Sequence, residues 1–329
     1  MRVLAAAFAL TLASASAASA ATIDPFNVLQ HVNGVIFGGA VGTATNQRSK
    51  TSTTADVQGQ LIVGGDYNGA SMYDNPPATP YAGYGALTVY GKTTGNGINI
   101  NNGGSAYVAG AHNAQINFNA DSHGNKGGYL SSEPNTIDDF ETALMGYSTS
   151  LSKLTGNSTL PSAGNNEVIV AHPNGSGVAI FNITTSQLSQ IPSYSINLNG
   201  ASSVLFNVSG STLDWSANLQ TSNADLLGKS IVWNFYQASS VTFETQVSGT
   251  ILAPLASVIN KNQIDGALIA RSWNGQGELH NDLFAGRNFL ATPEPGTWAM
   301  LMMGVGAIGG VLRRQRQRAA TAAAETTAA

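Results

Sequence analysis

The chain has 329 residues, of which 43% are hydrophobic and only 10% charged, with a formal net charge of -4 and no cysteine. The missing cysteines exclude a disulfide scaffold and any cysteine-ligated metal. Arg2, Arg313, Arg314, Arg316 and Arg318 all lie at the termini, so the middle of the chain is more acidic than the whole and a poor partner for nucleic acid. Ordinary domains carry roughly a quarter charged residues. Here Gly, Asn, Ser and Thr take that place, and they favour short strands and frequent turns over long helices.

Residues 1–20 read as a secretory signal peptide. Arg2 supplies the positive start, Val3 to Leu12 the apolar stretch, and Ala18-Ser19-Ala20 the small-x-small cleavage site. Export through the secretion machinery follows from this reading.

From residue 21 to 290 turn signals recur every few residues, among them Asn68-Gly69, Asn96-Gly97, Asn102-Gly103, Asn174-Gly175 and Asn199-Gly200. They separate short β-prone runs such as Leu61-Ile62-Val63, Leu87-Thr88-Val89, Ile98-Asn99-Ile100, Val204-Leu205-Phe206 and Leu268-Ile269-Ala270. Many alternate apolar with polar, the pattern of a strand buried on one face. The fold class read from this is mostly β, a solenoid in which each coil buries its inward residues against its neighbours. No strict period shows, and a β-sandwich gives similar strings. Thr136 to Leu154 breaks the pattern. Ile137, Phe140, Leu144, Tyr147, Leu151 and Leu154 fall on one helical stripe, with Thr136 placed to cap it, Asp138 and Asp139 at its positive end, and Gly156-Asn157 to end it. Such a lone helix fits the flank of the solenoid.

Catalytic patterns are absent from the string. His31, His112, His123, His172 and His280 form no helix-borne zinc pair, and no nucleophile elbow, phosphate loop or dinucleotide fingerprint occurs. The reading is a non-enzyme with no cofactor and no metal. Glu278-Leu279-His280-Asn281-Asp282 has the residues of an acid/base cluster, but hydrogen bonds fixing the last coil explain it as well. Asp121-Ser122-His123-Gly124-Asn125 reads as a turn and lacks the spacing of a calcium loop. Tyr73, Tyr81 and Tyr84, around Asn75-Pro76-Pro77, form a candidate ligand loop for a sugar ring or polymer, or a packed surface loop.

Pro293-Glu294-Pro295-Gly296-Thr297-Trp298-Ala299 opens the tail, an apolar run to Leu312 follows, and Arg313, Arg314, Arg316 and Arg318 close it. Residues 297–312 read as a transmembrane helix, 313–318 as a basic stop on its cytoplasmic side, and 319–329 as a disordered tail. Pro293, Glu294, Pro295, Trp298 and Ala299 resemble, in order and spacing, the PEP-CTERM sorting signal of residues 291–318. That resemblance implies an inner-membrane intermediate cut by an exosortase-type membrane protease, in a Gram-negative bacterium that makes extracellular polysaccharide.

The body, too, is similar to a known family. Asp24-Pro25-Phe26-Asn27-Val28-Leu29, the stretch from Ala55 to Asp66, the run Ile231 to Phe235, the block Gln263 to Ala270 and Gly277-Glu278-Leu279-His280-Asn281 resemble the choice-of-anchor A family. The resemblance implies a right-handed β-helix of the ice-binding-like adhesive type with a helix along its side, and no catalytic residues. The expected function is an adhesive or structural protein of the cell surface, extracellular matrix or biofilm, with an exopolysaccharide or other surface glycan as partner. A polysaccharide-active enzyme built on a β-helix and an ice-binding protein remain the alternatives.

Overall fold

The computed structural model describes residues 22–38, 51–53, 56–69, 71–162, 164, 166–290 and 313. The described chain is mostly β, without a closed barrel, and every strand pairing in it is parallel. The strands are short because turns interrupt them. Asn102 and Gly103, like Asn199 and Gly200, take positive φ in succession, the left-handed pair that Asn-Gly adopts at least cost. At one corner the backbones of Gly65, Gly91 and Gly110 stack directly. A side chain on Gly91 would meet Gly65 at 2.5 Å, and one on Gly110 would meet the Gly91 carbonyl at 2.6 Å.

The strands lie in rows. The longest row runs Val178–Thr184, Ser203–Ser209, Ile231–Asn234, Thr250–Asn260, Leu268–Gly275, Gly34–Ile36, Leu61–Val63, Leu87–Val89, Ala106–Val108. This order is not the chain order. The chain enters in the middle of the row, builds outward to Ala106–Val108, reappears at the far end at Val178, and stacks back until Leu268–Ala270 pairs with Gly34–Ile36. The two ends of the body therefore meet at a seam. Asn33 fixes it, donating through Nδ2 to the carbonyls of Gly266 and His280 while its Oδ1 accepts from the Gly59 amide.

Helix α1 (Pro25–His31) and helix α2 (Ile137–Leu151) lie on the outer side of this long row. Val35, Ile62, Leu205, Val232 and Ile269 pack outward against Leu29, Phe140, Leu144 and Tyr147. The row is thus buried on both faces, and its strands read as continuous apolar runs and not as alternations. Thr136 and Asp139 cap α2 reciprocally, Asp139 Oδ2 accepting from the Thr136 amide at 2.7 Å. The helix has 15 residues, about 22 Å at 1.5 Å per residue, and so carries the chain back past four or five strands spaced ~4.8 Å apart.

The end of α2 differs from the sequence expectation. It stops at Leu151, with Ser152 as its cap, ahead of Gly156. Three register-paired asparagines take carbonyls at its end and just beyond it. Asn234 donates to Ser148 O, Asn207 to Leu151 O and Asn182 to Leu154 O, while Asn234 also bonds Asn207 and Asn207 bonds Asn182. This amide ladder, buried at Asn207 and Asn234, supplies acceptors with partners that a helix end otherwise lacks.

No helix among the described residues is long and apolar enough to cross a membrane. The span expected at 297–312 lies outside the described residues, as do Ala18, Ala20, Pro293, Glu294, Pro295, Trp298, Ala299, Arg314, Arg316 and Arg318. Arg313 is described, and it is helical and exposed.

Candidate functional site

On the side away from α1 and α2, a second set of strands forms a row whose outer face is covered by the helix Ala224–Ser230 at its C-terminal end and open to solvent towards its N-terminal end. Val247, Ile264, Leu279, Val57, Met72 and Ile100 point inward along it and are buried. Strand alternation turns their neighbours outward. Those neighbours are all polar at the C-terminal end, where Ser248, Asp265 and His280 are in register.

Asp265 is the centre of this cluster. Its carboxylate is buried and accepts from Gln246 Nε2 at 2.6 Å, Ser248 Oγ at 3.0 Å and His280 Nδ1 at 2.8 Å. Burial pushes the Asp265 carboxyl up, but the bonds from His280, Gln246 and Ser248 together outweigh it, and the group lies below the usual carboxylate range. His280 Nε2 lies 3.1 Å from Glu278 Oε2. The Asp265 bond first, then Glu278, against the opposing effect of burial, pushes His280 up to about 9. At neutral pH the ring is therefore an imidazolium held between two carboxylates. Asp282 completes the group. Burial and then Asp225 push its carboxyl up, and Lys229, 3.4 Å away, pulls it back.

This arrangement clamps two successive strands more readily than it does chemistry. Both ring nitrogens are committed, and a base that holds its proton up to about pH 9 is poorly matched to neutral acid/base work. Asp265, His280 and Asp282 each place one ligating atom within 4.8 Å of the others. A metal there would have to displace the proton of His280.

Towards the N-terminal end the same face is open and carries asparagines. Asn117 Nδ2 donates to Asn99 Oδ1 at 3.0 Å and Asn119 Nδ2 to Asn101 Oδ1 at 2.7 Å, and Asn101 donates to Asp74. Between the two ends, burial first and then Asp74 and Glu278 push the Asp56 carboxyl up. Gln58 Oε1 accepts from the Asn281 amide across the seam.

The tyrosines of the candidate ligand loop are drawn apart. Tyr81 and Tyr84 stack on each other at 5.3 Å and on Phe140 of α2, and the Tyr84 hydroxyl donates to Asn135. Tyr73 is buried at positive φ on the other side. The three rings serve packing and do not converge. Asp121 takes the amides of His123 and Asn125, the geometry of a turn. The sequence reading found His280 and Glu278 but missed Asp265, whose only signal is one acid inside the apolar run from Ile264 to Ala270.

Two family models match the chain. That of an ice-binding-like adhesive domain covers residues 25–281, and that of the PEP-CTERM protein-sorting motif covers residues 291–317. Among curated proteins none matches.

Proposed function

Since the chain belongs to the ice-binding-like adhesive domain family and carries a PEP-CTERM sorting motif, it is an exported surface protein sorted by an exosortase-type protease, and we propose that it is a non-enzymatic adhesive or structural component of the cell surface or extracellular matrix. In this reading the signal peptide is removed after Ala20. The body, residues 21–290 and of choice-of-anchor A type, is held in the inner membrane by residues 297–312 and the basic stop at Arg313, Arg314, Arg316 and Arg318. Cleavage near Pro293, Glu294 and Pro295, read together with Trp298 and Ala299, then delivers it. We further read the body as a right-handed β-helix. All strand pairings among the described residues are parallel, and parallel crossovers are right-handed in nearly all proteins.

The observation that carries the adhesive reading is the open face. Its polar side chains bond one another in ladders, and the Asp265 cluster is committed to its own strands. Such a surface displays a fixed pattern and does not enclose a substrate. The test is cell fractionation and surface proteolysis of intact cells, with and without the sorting protease. The body is expected at the surface or in the matrix only when the protease is present. Retention in the inner membrane in both strains would overturn the sorting claim.

A second reading, a polysaccharide-active enzyme, draws on Asp265 and Asp282 beside His280. It requires new reducing or unsaturated chain ends to appear when the protein is incubated with polysaccharides, and Asp265→Asn to stop their appearance. Ice binding is the weakest reading, since the paired outward residues of the open face are Ser71, Asn99 and Asn117 and not a regular threonine array.

A further inference from the structure

We propose that the edge strand Glu167–Val170 is a self-association site, where a second copy of this chain pairs antiparallel across a two-fold axis at Ile169. The inference goes beyond the surface-display reading and does not rest on it.

The first support is an open edge. Glu167–Val170 pairs in parallel with Ser193–Asn197 on one side, and no other strand or bridge meets it among the described residues. The Ala171 amide donates to Asn197 O. Ile169 and Ala171 therefore turn their backbone groups to that neighbour, and Val168 and Val170 turn theirs away from it. Natural edges are blunted by lysine, proline, bulges or very short strands. This one reads Glu-Val-Ile-Val-Ala, is β-branched throughout its centre, and leaves Val168 51% exposed. The edge strand at the other end of the stack, Ile116–Phe118, is dressed instead in the exposed polar side chains of Gln115, Asn117 and Asn119.

The second support is self-complementarity. A two-fold axis at Ile169 sets Val168 opposite its twin's Val170, and Val170 opposite its twin's Val168. Each facing pair exchanges both of its N–H to C=O bonds, so the backbone groups of both valines find partners. Ile169 points into the core and is 1% exposed. It meets its twin on the inward face, while the valines meet on the outward one. Glu167 falls opposite Ala171, which keeps the two glutamates apart, and no like charges face each other.

The third support is shape. Ser158 bridges Phe181, and the chain then runs into Glu167–Val170. The long row and the edge strand therefore end in the same coil, and this end of the stack is level. The opposite end is stepped. Tyr129 lies over Ala106, and the chain then turns back, with Glu133 bonding Thr88, without pairing a described residue on the outer side of Ile116–Phe118. A copy stacked head to tail would bring Ser158 into the layer that Tyr129 holds before its edge strand reached Ile116–Phe118. The contact therefore closes as a two-fold dimer and does not run on as a fibre.

The chain has no cysteine, so two single variants of the full chain, purified in detergent, report the pairing. Val168→Cys and Val170→Cys, mixed under mild oxidation, are expected to give a disulfide-linked dimer that a reducing agent returns to monomer. Facing residues lie about 5.5 Å apart between Cα atoms, within disulfide reach. Each variant alone is expected to give at least tenfold less dimer, since identical positions sit diagonally, about 7–8 Å apart. Val168→Lys with Val170→Lys, both on the solvent side, sets lysine against lysine. It is expected to weaken self-association tenfold or more in sedimentation velocity, with circular dichroism showing that the fold is kept. The proposal is overturned if the mixture yields no more dimer than either cysteine variant alone, or if the parent sediments as a monomer up to its solubility limit. It is equally overturned if the folded double-lysine variant associates like the parent, as association through the tail would do, or if species larger than a dimer build up with concentration.

Discussion

One register row crosses the whole body, and its two halves are filled differently. In the C-terminal half the inward positions are Phe181, Phe206, Trp233, Ile251 and Leu268, and in the N-terminal half they are Gly34, Leu61, Leu87 and Ala106. Phe181 stacks on Phe206 at 4.6 Å and Phe206 on Trp233 at 4.0 Å. Coil length does not set the difference, because long coils occur in both halves, from Phe206 to Trp233 in one and from Gly34 to Leu61 in the other. The comparison teaches that one register can be filled by stacked rings in one half and by aliphatic side chains in the other.

Truncating an inward residue tests this directly. Trp233→Ala breaks the stack of rings and removes the Nε1 bond to Ser248 O at 3.0 Å. The expected loss is about 3–5 kcal/mol, read by urea denaturation. Leu87→Ala in the aliphatic half is expected to cost less, about 2–3 kcal/mol, because a smaller side chain leaves a smaller cavity. Equal losses at the two sites would break the comparison.

The helix joins the aromatic half through amides, so Asn234→Ala comes next. It leaves Ser148 and Asn207 without their buried partner, for an expected loss of about 2–3 kcal/mol. Asn234→Asp keeps the shape but loses the donor to Ser148 O, and it should not restore stability.

At the seam the expected effect is smaller and depends on pH. His280 titrates at about 9 in the folded chain against 6.5 for a free histidine. Its contribution is therefore complete below pH 6.5 and is lost as pH rises towards 9. Since the ring is partly exposed, about 1–2 kcal/mol is expected after screening. Asp265 works in the opposite direction, and its contribution is lost as pH falls below the usual carboxylate range. Thermal midpoints should fall between pH 6.5 and 9 in the parent and stay flat over that window in His280→Ala. A parent with no such fall would contradict the clamp. The smallest effect is expected at the open amide rows, where Asn99→Ala with Asn117→Ala should change stability by no more than about 0.5 kcal/mol.

Local chemistry made part of this fold legible in sequence. Asn102-Gly103 and Asn199-Gly200 announced turns, and the stripe from Ile137 to Leu151 announced α2 with its cap at Thr136. What stayed hidden was non-local. Nothing near Gly34 or Asn33 signals a partner 233 residues away at Gly266. The coil lengths of 25, 27, 17 and 18 erase any period, so neither the amide ladder under α2 nor the meeting of Asp265 with His280 could be read from spacing. The packing of the tyrosine loop stayed hidden for a related reason. Tyr81 and Tyr84 look like loop tyrosines until α2 returns over them and places Phe140 against their rings.

The most direct test of the central claim is the intact mass of the native protein recovered from the producing cells. The account predicts a chain shortened at both ends, beginning after Ala20 and ending close to Pro293-Glu294-Pro295, and a longer chain that keeps the segment through Arg318 when the sorting protease is removed. A recovered protein that retains residues 296–318 in the presence of the protease would contradict it.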